Sequence, residues 1–274
     1  MNAPRTLGVG FGLCVAFCAQ AVPIVTSGSA INAAGLQATV DAFRASLGAL
    51  NPNVAGSFGS GRREINWDGV PDAFAAPNNL PANFFNANSP RGAVFATPGS
   101  GFQVSANASN PTSTPIEFGN LDATLPGQFG VFSPQRLFTA IGSTITDISF
   151  FIPGSGVAAT VSAFGSVFTD VDAVNTTSLE LFSPSNVSLG VFFAPTSAGN
   201  EGLSFVGVRF TSEQIGRVRI TSGNVALGGG AGDAVAMDDF IYAEPIPEPQ
   251  TQALMLSGLG VLALLARRRR VGGR

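Results

Sequence analysis

The 274-residue sequence has no histidine and no lysine; all 14 basic residues are arginine. Without imidazole there is no Ser-His-Asp or Cys-His catalysis and no histidine metal site. Without lysine there is no Schiff base and no phosphate-loop lysine. Charged residues make up 11% of the chain, against about 25% in an ordinary globular domain. Trp67 and Tyr242 are alone of their kinds, so a stacking platform for sugars or bases must draw on the 23 phenylalanines. The two cysteines, Cys14 and Cys18, both precede residue 20.

What is present begins with two terminal addresses. Residues 1–21 read as a secretory signal peptide: Arg5 is the positive start, residues 7–19 are apolar and uncharged, and Ala19-Gln20-Ala21 is a small-residue cleavage site. The competing reading is a buried N-terminal helix. Cleavage after Ala21 removes both cysteines and leaves no disulfide; a domain of this length builds a sufficient core without one.

At the other end, residues 245–249 (PIPEP) are stiff and extended, because each proline fixes its own φ and restricts its predecessor. Residues 253–266 are apolar and uncharged, and Arg267, Arg268, Arg269 and Arg270 follow as a basic stop. A transmembrane helix is expected over 251–266, with the arginines held on the cytoplasmic side. The competing reading is a hydrophobic core helix.

Pro247-Glu248-Pro249, an apolar span and an arginine cluster together resemble the PEP-CTERM sorting signal of Gram-negative bacteria, placed here at 245–274. The resemblance implies processing near Pro-Glu-Pro by an exosortase after signal peptidase has acted. It implies a transient membrane anchor and delivery to the cell surface or the extracellular polymer matrix. Residues 61–71 (GRREINWDGVP) and 236–242 (AMDDFIY) also resemble a recurrent group of uncharacterised PEP-CTERM proteins. That likeness runs over most of 30–250 and implies no known activity.

Between the addresses, residues 22–50 read as an N-terminal helical segment. Leu36, Val40, Phe43 and Leu47 form one stripe at helical period within a helix over 31–50, which Gly48 can end. Residues 51–63 and 71–90 read as loops. The rest of 51–244 is a series of short runs rich in Phe, Val, Ile and Thr between Pro, Gly, Asn and Ser clusters. Strands are expected at 91–97, 101–106, 115–119, 136–140, 144–152, 158–165, 178–183, 187–193, 202–211, 216–222 and 234–242. In the last but one, Val218 and Ile220 oppose Arg217, Arg219 and Thr221. The predicted fold is mainly β, an antiparallel β-sandwich or jelly roll preceded by one helix, with signal and anchor helices at the termini.

With His and Lys absent, carboxylates carry most of the site chemistry left to the chain. Asp170 and Asp172 form one pair, and Asp238 and Asp239 another, each beside an expected strand. Ca²⁺ takes six to eight oxygens. The expectation is that these four aspartates converge on one structural Ca²⁺, with Glu117 or Asp147 as an added ligand. The bland reading is solvated carboxylates that blunt sheet edges.

Trp67 reads as a core residue at the end of the first strand, with Asp68 and Asp72 ordering the turn; the other reading is a ligand lip stacking on a sugar. Gly228-Gly229-Gly230 precedes no helix and lacks lysine, so it is not a phosphate cradle. Between 22 and 248 the chain has 8 arginines against 17 acids, a net charge of −9 that disfavours nucleic acid. The expected function is a non-enzymatic surface or matrix component associated with polysaccharide. The alternative is a secreted glycoside hydrolase using two carboxylates drawn from Glu64, Glu117, Glu180 and Glu201.

Overall fold

The computed structural model describes residues 22–212, 214–248 and 257. Strand β1 (Ile24–Ala30) leads into helix α1 (Ala33–Leu47), then β2 (Arg62–Ile65), a one-turn helix α2 (Phe84–Ala87), β3 (Ala93–Ala96) and β4 (Gly101–Val104). There follow β5 (Phe138–Ile141), β6 (Ile145–Phe150), β7 (Ala159–Thr160), β8 (Ala163–Thr169), β9 (Ser178–Phe182) and β10 (Ser188–Phe193). The described chain closes with β11 (Leu203–Arg209), β12 (Arg217–Thr221), β13 (Ala236–Ala243) and β14 (Ile246–Pro247).

The larger strands form two antiparallel sheets. One runs β1-β11-β8-β13-β5-β4, with β2 also paired to β13; the other runs β10-β9-β12-β6-β3. Their inner faces share one apolar core. The mainly β, antiparallel architecture expected from the alternating runs is the one observed. In β12, Val218 and Ile220 are buried, while Arg217 and Arg219 face out and pair with Asp147 on β6.

Helix α1 is shorter than the expected 31–50. The Asn32 side chain accepts from the Gly35 N–H at 3.0 Å and caps its start. Gly48, at φ 89°, ends it. The stripe of Leu36, Val40 and Phe43 is buried against β11 and β8. There the Phe43 ring lies over Gly165 and Gly207, where a Cβ would come within 2.9 and 2.7 Å of it. Only glycine at those two positions lets the helix approach so closely.

Four expectations are corrected. The segment 22–50 is not wholly helical: its β-branched start, Ile24-Val25-Thr26, enters the sheet as β1 beside β11. Residues 115–119 are not a strand, because Glu117 (φ 49°) and Phe118 (φ 63°) are left-handed. Phe118 instead plugs a second, smaller core with Leu125, Phe129, Leu137 and Leu227. The single strand at 158–165 is two, β7 and β8. The loop 71–90 carries α2, which seats Phe84 and Phe85 in the main core.

Trp67 is core. It is 1% exposed and stacks on Phe138 with centroids 4.1 Å apart. Its Nε1–H donates to the Asp238 carbonyl at 2.8 Å. Asp68 accepts from the Arg136 N–H and Asp72 pairs with the Arg136 guanidinium, so both order the chain around it.

Candidate functional site

The chemistry-bearing residues gather where β2 meets β13. Ile241 stands opposite Glu64 in that pairing. On its other side β13 shifts register against β8: Met237 faces Phe168, but Phe240 faces Ser166. The one extra residue is a β-bulge at Asp238-Asp239. Consecutive strand residues ordinarily point to opposite faces, and a bulge re-aims them. Here both carboxylates reach one hydroxyl: Ser133 Oγ lies 2.7 Å from Asp239 Oδ1 and 3.2 Å from Asp238 Oδ1.

Asp238 is fully buried, and its Oδ2 accepts from the Phe132 N–H at 2.7 Å. Asp239 Oδ2 accepts from Arg44 Nη2 at 2.7 Å, and the same nitrogen lies 3.0 Å from Glu64 Oε2. Arg62 Nε adds a 2.6 Å contact to Glu64 Oε1. Burial, reinforced by the Asp239 charge, holds the Asp238 carboxyl well above the usual carboxylate range. Burial also raises Asp239, opposed by the Ser133 hydrogen bond and the Arg44 charge. A cavity of about 400 Å³ opens over this cluster, lined by Arg44, Glu64, Asp239 and Ser133 together with Asn53, Asn66 and Phe132.

The first aspartate pair has other partners. Asp170 follows β8 in a left-handed conformation (φ 65°) and is 4% exposed. Its Oδ1 is buried and accepts no hydrogen bond among the described residues. Burial first, then the charges of Asp172 and Asp233, push its pKa up to about 7. Asp172 is exposed and donates its N–H to Asp233 Oδ1 at 3.0 Å. Nothing in the sequence around Asp233 marks it as a partner of this pair. Among the described residues no group of three or more carboxylates is arranged to hold a metal ion. The four aspartates expected around one Ca²⁺ therefore divide between two settings: Asp238 and Asp239 face Ser133 and Arg44, while Asp170 lies beside Asp172 and Asp233.

The remaining acids are also placed. Asp147 is held by Arg217 and Arg219, which lower its pKa against the effect of burial. Glu180 accepts from the Ser188 hydroxyl. Glu117 and Glu201 line one cavity of about 370 Å³. Burial, with the Glu201 charge, raises Glu117. Arg44 and Ser133 had no motif to mark them. The one available sign was that Arg44 lies off the apolar stripe of its helix.

Beyond β13 the chain leaves through a buried ion pair, Glu244 with Arg63 at 2.6 Å. Pro245 follows, and β14 then pairs Ile246 with Thr160 and Pro247 with Ala159 of β7. Residues 245–270 match the model of the PEP-CTERM protein-sorting motif. This chain carries a PEP-CTERM sorting signal. The PEP-CTERM motif marks it for export and for processing by exosortase, with transient membrane association through the C-terminal segment. No curated protein and no solved structure matches the chain.

Within the motif, Pro247 lies in β14 and Glu248 is half-buried beside it. Pro249, Arg267, Arg268, Arg269 and Arg270 lie outside the described residues, as do the signal peptide at 1–21 and, apart from Ser257, the expected span at 251–266. Among the described residues no helix is long and apolar enough to cross a membrane.

Proposed function

We propose that the folded domain is a non-enzymatic component of the cell surface or extracellular matrix that associates with exported polysaccharide. The sorting motif supports the destination. Arg44 carries the non-enzymatic part. A glycoside hydrolase needs two carboxyl groups facing each other across open space, about 5–10 Å apart. Between Glu64 and Asp239 the Arg44 guanidinium fills that space, at 3.0 and 2.7 Å. A cleft with neutralised acids and polar walls is suited to holding a hydroxyl-rich ligand rather than cleaving it. A glycan array probed with the full-length chain in mild detergent tests this. Binding to at least one glycan, without release of sugar, is expected; binding to none overturns the polysaccharide reading.

One observation favours a second reading, the secreted carboxylate-dependent glycoside hydrolase. Glu117 and Glu201 share a cavity in which no arginine appears among the described lining residues. Glu117 is held towards its protonated form, the state that a general acid needs. Steady release of reducing ends, abolished in Glu117→Gln, would replace the non-enzymatic reading with this one.

We also propose a structural Ca²⁺ at Asp170 and Asp172, completed by backbone carbonyls and water. The unpartnered Asp170 Oδ1 supports it, since a buried carboxylate without a donor is relieved by a proton or a cation. Melting in millimolar Ca²⁺ should rise above melting in chelator; equal melting sinks the idea.

A further inference from the structure

We infer that the groove joined at Arg91 binds a carboxylated glycan, a chain containing uronate units. This rests on the polysaccharide reading above and names its ligand class and site. Two cavities, of about 400 and 230 Å³, share Asn66 and Arg91 in their linings and so adjoin at these two residues.

Six of the eight arginines between 22 and 248 pair with a carboxylate: Arg44, Arg62, Arg63, Arg136, Arg217 and Arg219. Arg91 has no such partner among the described residues. Its Nε donates to the Glu64 carbonyl at 2.8 Å, and its Nη1 donates to Ser89 Oγ. The guanidinium lies 5.1 Å from the Phe85 ring centroid, which fixes its plane. Nη2 makes no hydrogen bond among the described residues, and Arg91 lines both cavities. Nη2 can therefore donate a charge-assisted N–H···O bond to a carboxylate.

The rest of the lining fits a sugar chain. The side chains of Asn53, Asn66 and Asn88 are exposed along the two cavities and make no hydrogen bond among the described residues. Each amide offers a donor pair and an acceptor, which matches neighbouring hydroxyls. Phe132 and Phe85 supply apolar wall for the C–H faces. Glu64 and Asp239 in the same lining are paired with Arg44, so they add little repulsion to a single carboxylate. The net −9 of residues 22–248 does not forbid this, because remote charges are screened beyond about 8 Å at physiological ionic strength.

Calorimetry at physiological ionic strength, with the full-length chain in mild detergent, tests the inference. The probes are an oligogalacturonide and its carboxyl-reduced counterpart. A charge-assisted hydrogen bond from Nη2 predicts about tenfold or more tighter binding of the oligogalacturonide. Arg91→Gln should erase that difference and leave the reduced oligomer's affinity unchanged. Asn66→Asp places a negative charge beside Arg91, at an exposed side chain without partners. It should weaken the oligogalacturonide about tenfold with unchanged melting, and it decides the matter if Arg91→Gln fails to fold. Equal affinity for the two oligomers, or a preference that survives both variants, overturns the inference while the polysaccharide reading stands. Binding of neither oligomer also overturns it, and a blank glycan array then removes the polysaccharide reading as well.

Discussion

Arg44 reaches from helix α1 to the β13 bulge and sets Nη2 2.7 Å from Oδ2 of Asp239, a residue 195 positions later in the chain. The contact fastens the helix to the sheet on its polar side, as Phe43 fastens it on its apolar side. It also occupies the space between Asp239 and Glu64 where two free carboxyl groups would face each other.

Removing that guanidinium leaves Asp239, 2% exposed in its side chain, without its counter-charge. Arg44→Met should cost about 3 kcal/mol, as breaking a buried pair does. The double variant Arg44→Met with Asp239→Leu should recover most of the loss. Urea unfolding of the three chains, followed by Trp67 fluorescence, measures both.

The Arg63–Glu244 pair is more deeply buried, at 0% and 1%. Arg63 also donates to the carbonyls of Pro52, Gly56 and Pro90, so it orders the loop ahead of β2. Glu244→Gln should destabilise the fold by about 3–5 kcal/mol. Amide exchange across residues 52–60 should quicken more than exchange in β8. Equal quickening everywhere would place the pair's role elsewhere.

Trp67 combines packing with one polar contact. Trp67→Phe keeps most of the packing against Phe138 but leaves the Asp238 carbonyl without its 2.8 Å donor. A loss of about 1–3 kcal/mol is expected, the cost of an unsatisfied buried acceptor. Trp67→Ala adds a cavity and should lose about 3–5 kcal/mol.

Asp170 makes stability depend on pH in an unusual direction. Its folded pKa, about 7, lies above its ordinary value of 3.8, so between these values the folded chain binds the extra proton. Stability from this group is complete below about pH 4 and is lost as pH rises through 7. Relative to wild type, Asp170→Asn should therefore gain stability from pH 4 to 7 and hold the gain above 8. Melting curves of both chains across that range provide the comparison. Ca²⁺ should suppress the wild-type loss above pH 7, because the cation takes the proton's place.

Much of the fold was legible because burial on one face writes itself as alternation. Val218 and Ile220 against Arg217 and Arg219 is that pattern, and Leu36, Val40, Phe43 is its helical equivalent. β1 is not legible in the sequence because Ser27-Gly28-Ser29 carries little apolar signal, and its partner β11 lies far along the chain. Residues 115–119 misled because local composition does not report the left-handed turn at Glu117 and Phe118. The site was legible only in pieces. Asp238, Asp239 and Glu64 stand in conspicuous stretches, but a bulge decides where the aspartates point. Ser133 and Arg44 join them through topology alone.

Export of the folded β domain and its processing at the PEP-CTERM motif are tested most directly by intact-mass spectrometry of the chain recovered from the surface and medium of producing cells. The expected product begins at Val22 and ends close to Pro247-Glu248-Pro249, without Arg267 to Arg270. A chain that remains inside the cell with residues 1–21 and 250–274 attached would contradict it.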